Sequence, residues 1–210
     1  MINRQLKEKT FWNIFANHYD FFIKIMFSKT YKKILFHLNS ELESTQTILD
    51  IGTGTGIIPF SICPKVKCVV ATDISPEMIK IAKQKQVSSG IENIEFQIQD
   101  AYNLPFPDKS FDVIIAANLL HLLFEPEKPI SEAKRVLKDN GIFIAPTLCA
   151  GENFRSKAMA NISAMAGIWF VNKWSINEFE EMLKSNGLII FKTIKINGRF
   201  PLAYSVTSKC

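Results

Sequence analysis

Short runs of β-branched and other apolar residues alternate with amphipathic stretches over most of the chain. This alternation predicts seven strands, at 47–51, 68–73, 94–99, 111–117, 141–145, 188–196 and 202–208. The pattern is typical of a parallel sheet with helices on both faces. Only 197–201 separates the last two strands, which leaves no room for a crossover helix and predicts an antiparallel hairpin at one edge. The expected fold class is α/β, with a mostly parallel seven-stranded sheet and an antiparallel C-terminal hairpin.

Capping residues and apolar spacing predict where helices lie between these strands. Ser75, followed by a proline, predicts a helix start. Ser175 and Glu178 form a capping box ahead of a second helix. Apolar spacing predicts a third helix over 127–137. Most of the segment before the first strand is also predicted to be helical.

Length and charge limit the architecture and the partners. The chain has 210 residues, of which 47% are hydrophobic, enough for one well-buried core and short for two. We therefore expect a single domain, 1–210, with an N-terminal helical lid at 1–45. The formal charge of +5 arises from 25 basic and 20 acidic residues without a long basic run. Nucleic acid is not an expected partner.

The first residues are polar and charged where a signal peptide would need an apolar segment. The longest apolar stretch, 113–124, is interrupted by Asn118 and His121. We therefore expect a cytoplasmic, soluble protein without stable membrane insertion, either a monomer or a homodimer.

The four cysteines, Cys63, Cys68, Cys149 and Cys210, contain no C-x-x-C pair. Cys63 and Cys68 leave open a metal site or a thiol-based reaction with a metalloid. Packing in the core is the preferred interpretation, because Cys63 falls in a predicted helix and Cys68 at the start of a buried strand. No metal is expected.

The segment Ile48-Leu49-Asp50-Ile51-Gly52-Thr53-Gly54-Thr55-Gly56 is an apolar strand that runs into three alternate glycines. Such a loop lets a ligand approach the backbone closely. The G-x-G-x-x-G dinucleotide fingerprint fails in both registers, and no Gly-Lys-Ser/Thr follows as in a Walker loop. The carboxylate of Asp50 would also repel a pyrophosphate and favour a cationic ligand.

Two more acidic residues end the next two predicted strands. Asp73 ends the second strand and Asp100 the third. Since the carboxyl ends of parallel strands meet at one edge of the sheet, both should lie beside the glycine loop. An acidic residue about 20 residues beyond such glycines can accept hydrogen bonds from ribose hydroxyls. A ribose-containing ligand is therefore implied.

Together these residues resemble the class I S-adenosylmethionine-dependent methyltransferases, which have a Rossmann-like fold. The resemblance is greatest to the small-molecule branch that includes the ubiquinone and menaquinone C-methyltransferases. It rests on 50–56, Asp73, Asp100, 104–112 (Leu-Pro-Phe-Pro-Asp-Lys-Ser-Phe-Asp), 135–143 (Arg-Val-Leu-Lys-Asp-Asn-Gly-Ile-Phe) and 15–20 (Phe-Ala-Asn-His-Tyr-Asp).

The resemblance implies a binding role for each cofactor-site residue. Asp50, Gly52, Thr53, Gly54 and Gly56 would hold the methionine end of S-adenosylmethionine and, after transfer, of S-adenosylhomocysteine. Asp73 would bind the ribose, Asp100 with Ala101 would bind the adenine, and Ile74 would pack on its ring. Asn118 would lie near the methionine moiety, and Tyr19 would close over the cofactor. For Tyr19, packing on the domain is the alternative.

A methyl acceptor that must lose a proton needs a base, for which His121 and His18 are the candidates. His121 follows the fourth strand, where the family often has histidine, and a packing histidine is the alternative. For His18 the alternative is a solvent-facing position. His37 lies in a predicted helix away from the motifs.

We expect a small-molecule, apolar acceptor under two segments rich in bulky apolar residues. These are the N-terminal helices, with Phe11, Trp12, Phe15, Phe21 and Phe22, and the insertion 151–172, with Phe154, Met159, Ile162, Met165, Ile168, Trp169 and Phe170. The alternative is that they only cap the sheet. The same apolar surface is also compatible with a dimer contact or with delivery of a membrane-bound substrate.

The expected activity is methyl transfer to a small molecule. A non-catalytic S-adenosylmethionine-binding or regulatory protein of the same fold is the alternative. A nucleotide-linked oxidoreductase is disfavoured by Asp50 and by the glycine spacing.

Overall fold

The structure is a computed structural model that describes the backbone of residues 2–165 and 170–210. The side chains of 2–8 and 163–165 lie outside the described set. Ile168 and Trp169 of the predicted insertion therefore fall outside the described residues, as does the side chain of Met165.

A seven-stranded sheet in the order β3-β2-β1-β4-β5-β7-β6 forms the centre of the molecule. The strands are β1 (Thr47–Ile51), β2 (Cys68–Asp73), β3 (Ile94–Ile98), β4 (Phe111–Ile115), β5 (Leu137–Leu148), β6 (Leu188–Ile196) and β7 (Leu202–Lys209). β1 to β5 pair in parallel, whereas β7 pairs antiparallel with both β5 and β6. The predicted fold class and the C-terminal hairpin are confirmed.

Helices cover both faces of this sheet. They are α1 (Ile2–Met26), α2 (Ser28–Glu41), α3 (Ile57–Ile62), α4 (Pro76–Ser89), α5 (Glu127–Val136), α6 (Phe154–Met165) and α7 (Ile176–Ser185). Ser75 caps α4 by accepting from the backbone of Met78, and the predicted Ser175–Glu178 capping box is present on α7. No helix among the described residues is long and apolar enough to cross a membrane.

Neighbouring residues of the central strands belong to two different apolar clusters. Ile48 and Val113 pack in one, and Leu49 and Ile114 in the other. Successive side chains of a strand point to opposite faces, so the sheet is buried on both sides. This explains why these strands are continuously apolar.

The fifth strand differs from its prediction. The predicted helix 127–137 ends at Val136, and Leu137 begins β5 by pairing with Phe111 of β4. β5 therefore extends well beyond 141–145 at both ends, because it pairs with β4 on one side and with β7 on the other. Gly141, the predicted first residue of this strand, lies inside it. A Cβ there would lie 2.8 Å from the Asp112 carbonyl oxygen, so glycine permits a close backbone approach.

The family-like segments 104–112 and 135–143 hold each other in place. The guanidinium of Arg135 donates to the carbonyls of Leu104 and Phe106 and forms ion pairs with Glu132 and Asp108. The backbone N–H of Leu104 donates to Glu132. These contacts fix the loop between β3 and β4, so the two motifs have a structural role.

Candidate functional site

The glycine loop after β1 requires its glycines for conformational reasons. Gly52, Gly54 and Gly56 have φ of +71°, +57° and +85°, a region that side-chain-bearing residues rarely adopt. Gly56 caps α3, and a Cβ there would lie 2.9 Å from the rings of Phe60 and Phe96. The loop therefore turns sharply at the carboxyl end of β1 and presents its backbone to the edge of the sheet.

Asp73, at the end of β2, holds this loop. Its carboxylate accepts from the backbone N–H of Gly54 at 2.8 Å and of Ser75 at 2.9 Å. Burial raises the pKa of Asp73, and these hydrogen bonds partly offset that rise. Each carboxylate oxygen can accept further bonds, so Asp73 can support the loop and bind a ligand hydroxyl together.

A cleft that is partly open to solvent lies at the carboxyl ends of β1 to β4. It brings together eight of the predicted cofactor-site residues: Tyr19, Gly52, Gly54, Asp73, Ile74, Asp100, Ala101 and Asn118. Asp50 and Thr53 line a smaller adjoining cavity of about 250 Å³. Gly56 lies in the wall of neither. The predicted residues thus surround one connected region. Gly56 supports this region without lining it.

Asp50 lies at the buried end of β1 and is only 2% exposed. Its Oδ2 atom has no hydrogen-bond partner. Burial raises the pKa of Asp50 from 3.8 to about 7, an effect that nearby Thr53 opposes and the charge of Asp73 increases. A cationic ligand would favour the ionised carboxylate, which agrees with the electrostatic argument made from the sequence.

Asn118 follows β4 in a left-handed backbone conformation, with φ of +54°. Its backbone N–H donates to the Pro146 carbonyl at 2.7 Å. Asparagine tolerates this conformation better than most residues. Strain of this kind often marks functional positions, and here it directs the side chain to the cleft.

Helix α1 lies across the glycine loop. The Tyr19 ring packs on Gly54, since a Cβ on that glycine would lie 3.3 Å from Tyr19 Cε1. The Ser75 hydroxyl donates to Asn13 Oδ1 at 2.6 Å, and the Thr55 hydroxyl donates to Asp20 Oδ1 at 2.5 Å. Polar contacts therefore attach α1 to the site at two points.

An aromatic pocket, also partly open to solvent, lies next to the cleft. It is lined by Phe11, Trp12, Phe15, Tyr19, Phe22, Ile23, Phe27, Tyr31, Asn118, His121, Leu122, Leu148, Phe170 and Phe200. Four of these residues, Trp12, Tyr19, Asn118 and Leu122, also line the cleft. The two cavities therefore share a wall.

His121 is buried in the aromatic pocket, with its ring 5.0 Å from that of Phe170. Its Nδ1 atom has no hydrogen-bond partner. Burial lowers the pKa of His121 from 6.5 to about 3, so the imidazole is neutral at physiological pH. His18 is exposed and lines neither cavity, and His37 lies against Tyr204, 5.2 Å between ring centres.

Only some of the residues proposed to cover the acceptor line the aromatic pocket. Phe11, Trp12, Phe15, Phe22 and Phe170 line the aromatic pocket. For three others the expectation of a pocket-lining position is wrong, because each projects into solvent: Phe21, Phe154 and Ile162. Met159 packs against the core instead. A helix with apolar residues on most of its surface does not reveal from sequence which of them face inward.

Several lining residues were not anticipated. Tyr31 of α2 brings its hydroxyl to 3.3 Å from the hydroxyl of Tyr19. Phe200 reaches the pocket from the turn between β6 and β7, and Leu122 from the short 3-10 turn after β4. Helical spacing could mark Tyr31 as inward-facing, but no sequence signal joins it to Phe200, because only the tertiary arrangement brings both to one pocket.

Unpartnered buried atoms indicate that the site is built for ligands. Among the described side chains, five buried polar atoms lack a hydrogen-bond partner, and four of them belong to Asp50, Thr53, Asn118 and His121 at these cavities. Native proteins rarely leave such atoms unpaired without a reason. These groups fit S-adenosylmethionine. The oxygens at the glycine loop can accept from its amino group, and Asp73 can accept from its ribose hydroxyls.

No metal-binding cluster occurs among the described residues. Cys63 is buried, as core packing predicts, whereas Cys68, which was expected at the start of a buried strand, is only partly buried. Cys149 is also buried, and Cys210 is exposed.

The chain matches the family described as "Methyltransferase domain" over residues 42–187. It is 30% identical over 150 residues to the uncharacterized methyltransferase YcgJ of Bacillus subtilis, a match that covers 71% of this chain and 59% of the relative. It is 33% identical over 138 residues to the demethylmenaquinone methyltransferase of Porphyromonas gingivalis, covering 64% of this chain and 56% of the relative. The matches therefore span little more than half of these relatives.

The fold is also similar to solved structures. An S-adenosylmethionine-dependent methyltransferase from Aquifex aeolicus superposes with a TM-score of 0.65 at 24% identity, over 88% of this chain and 92% of that one. The family match and the shared fold confirm what the sequence motifs predicted: this chain belongs to the class I S-adenosylmethionine-dependent methyltransferase family.

Proposed function

We propose that this protein is an S-adenosylmethionine-dependent methyltransferase whose acceptor is an uncharged, largely apolar small molecule. One observation carries the proposal. The cleft with the cofactor-type residues and the aromatic pocket share the wall formed by Trp12, Tyr19, Asn118 and Leu122. A ligand in one cavity would therefore meet a ligand in the other at this wall.

In this proposal Asp50, Gly52, Thr53 and Gly54 hold the methionine end of the cofactor. Asp73 binds the ribose hydroxyls, and Ile74, Asp100 and Ala101 surround the adenine. Gly56 keeps the loop in position. When bound, S-adenosylmethionine supplies an electrophilic methyl group attached to a sulfonium sulfur.

The contribution of the protein to the reaction is mainly positioning and exclusion of water. The aromatic walls supply few polar groups, so an acceptor with net charge would lose its hydration without a partner. The hydroxyl of Tyr19 in the shared wall and that of Tyr31 in the aromatic pocket are neutral, and burial raises both pKa values further above the physiological range. Together with Asn118 they could hold one polar atom of the acceptor.

His121 is proposed to contact the acceptor through its free Nδ1. A neutral imidazole accepts a hydrogen bond from a hydroxyl when Nδ1 is unprotonated and donates one to a carbonyl when Nδ1 carries the proton. With a pKa of about 3, however, it is a weak base. We therefore assign His121 the orientation of an acceptor hydroxyl or carbonyl and give His18, which is exposed, no role in the chemistry. The name of the Porphyromonas relative, demethylmenaquinone methyltransferase, agrees with a quinone-like acceptor.

We further propose one domain over 1–210, in which 1–45 acts as a lid and 151–172 helps to cover the acceptor. The position of α1 agrees with the proposed lid at 1–45, since the inner face of α1 lines both cavities. Phe170 supports the covering role of 151–172, since it stacks on His121 and packs against Phe200.

The test is isothermal titration with S-adenosylmethionine, S-adenosylhomocysteine and NAD in parallel, followed by transfer of a labelled methyl group to apolar and charged aromatic alcohols. Both adenosyl compounds should bind and NAD should not. Asp73→Ala should weaken binding by about 1–3 kcal/mol. The control, Asp139→Ala, removes an exposed carboxylate on the opposite end of the sheet and should leave binding unchanged.

NAD binding alone would overturn the cofactor assignment. Cofactor binding without transfer to any uncharged acceptor would favour the non-catalytic alternative.

A further inference from the structure

The outward sides of α1 and α2 expose large apolar residues beside lysines. Phe21, Ile25 and Phe36 are 70%, 57% and 72% exposed. We call this surface the outer face and define it by Phe21, Lys24, Ile25, Lys29, Lys32, Lys33 and Phe36. Isolated exposed apolar residues are ordinary, but here three large ones fall within sixteen consecutive residues on two successive helices, which suggests a partner.

The charge of this surface is entirely positive. Residues 21–36 contain four lysines and no aspartate or glutamate. Within the described part of the chain, none of these lysines forms an ion pair. Asp20, the nearest acidic residue in the sequence, is paired with Lys85. A cluster of unpaired lysines creates a local positive potential that attracts an anionic partner.

Helical spacing places these residues opposite the pocket. On α2, Lys29, Lys32, Lys33 and Phe36 follow i, i+3, i+4, i+7 spacing, while Tyr31 and its neighbours on the other side are buried. On α1, Phe21 and Ile25 face solvent, while Phe15 and Phe22 line the aromatic pocket. One helix pair therefore separates the pocket from the outer face.

We propose that the outer face docks on an anionic lipid bilayer. Phe21, Ile25 and Phe36 enter the boundary between headgroups and acyl chains, and the lysines contact anionic headgroups. Mixed basic and apolar residues along a helix surface suit this interface better than water. A second copy of the chain fits poorly, since a symmetric contact through this face would bring lysines against lysines.

Docking in this orientation has a functional consequence. The inner sides of the same helices line the aromatic pocket, so docking would hold the pocket one helix layer away from the bilayer that dissolves apolar molecules. The docking itself does not depend on the proposed methyl transfer, and the two can fail separately.

The test is flotation of the full chain with vesicles of phosphatidylcholine, alone or mixed with phosphatidylglycerol. The protein should float only with the anionic vesicles, and added salt should release it. Because each lysine near an anionic surface changes affinity roughly fivefold, a variant with Lys24, Lys29, Lys32 and Lys33 changed to Gln should bind at least about tenfold more weakly. The matched control changes Lys80, Lys83, Lys157 and Lys184, all exposed elsewhere, to Gln and should bind normally.

The apolar part is tested by Phe21→Ser with Phe36→Ser, compared with Phe191→Ser, an exposed phenylalanine on β6. Only the first pair should weaken flotation. Absence of binding to anionic vesicles, or equal losses in the variants and their controls, would overturn the proposal. So would sedimentation equilibrium showing a dimer that the outer-face variants dissociate.

Discussion

Asp50 shows how one buried residue can link ligand binding to pH. The carboxyl is almost fully buried, has an unpartnered oxygen, and has a pKa raised to about 7. In the free protein it is therefore mostly protonated at pH 6 and mostly ionised at pH 8. A bound cation stabilises the ionised form, so binding lowers the pKa and releases a proton.

We predict that the affinity for S-adenosylmethionine rises with pH and is about tenfold weaker at pH 6 than at pH 8, as a pKa near 7 requires. Titrations in buffers of different ionisation enthalpy should detect the released proton near neutral pH. Asp50→Asn should bind more weakly and lose this pH dependence. If the variant keeps the dependence, the titrating group is a different one, such as Asp73.

At the scale of elements, α1 combines two roles. Its inner aromatic residues form the pocket, and its polar residues join it to the glycine loop and to α4. The ion pair of Asp20 with Lys85 is partly exposed, so it contributes little by itself. Asp20 also accepts a hydrogen bond from the hydroxyl of Thr55, a buried residue. This hydrogen bond contributes more to the attachment of α1 than the ion pair does.

Asp20→Ala should therefore loosen α1 without unfolding the sheet, at a cost of about 1 kcal/mol. Hydrogen exchange should become faster in the described backbone of α1 and remain slow in β1 and β4. Asp139→Ala, which removes ion pairs with Lys109 and Lys209, serves as the control and should leave α1 unchanged. Unchanged exchange in α1 would show that aromatic packing alone holds the helix.

At the scale of the whole molecule, the aromatic pocket is a meeting point of distant segments. α1 and α2 contribute Phe22 and Tyr31, the loop after β4 contributes His121, and the β6–β7 turn contributes Phe200. None of these segments forms a pocket without the others. The substrate preference should therefore depend on residues that make no contact with the cofactor cleft.

Phe22→Ala tests this separation, because Phe22 lines the aromatic pocket but not the cleft. We expect the KM for an apolar acceptor to rise severalfold, because an aromatic contact of ~1 kcal/mol is lost. The Kd for S-adenosylmethionine should stay within twofold. Phe191→Ala removes an exposed phenylalanine and should change neither. A parallel loss of cofactor affinity would mean that the two cavities act as one.

Local sequence information determined much of this protein. The approximate positions of the strands other than β5, the capping of α4 and α7, the C-terminal hairpin and the residues that gather around the cleft could be predicted. Each depends on neighbours along the chain: apolar runs define buried strands, and alternate glycines permit backbone angles that other residues resist. Because the carboxyl ends of parallel strands share one edge, the order of the residues alone was enough to place Asp50, Asp73 and Asp100 together.

Only the tertiary structure decided the rest. Leu137 begins a strand because it pairs with Phe111 of β4, and the far end of the same strand pairs with β7, which outweighs the local helical spacing. The tertiary structure also decided that Phe22 faces the pocket and Phe21 the solvent, and that His121 is neutral. The direction in which a side chain points and its ionisation state depend on the groups around it. Those groups come from segments far away in sequence.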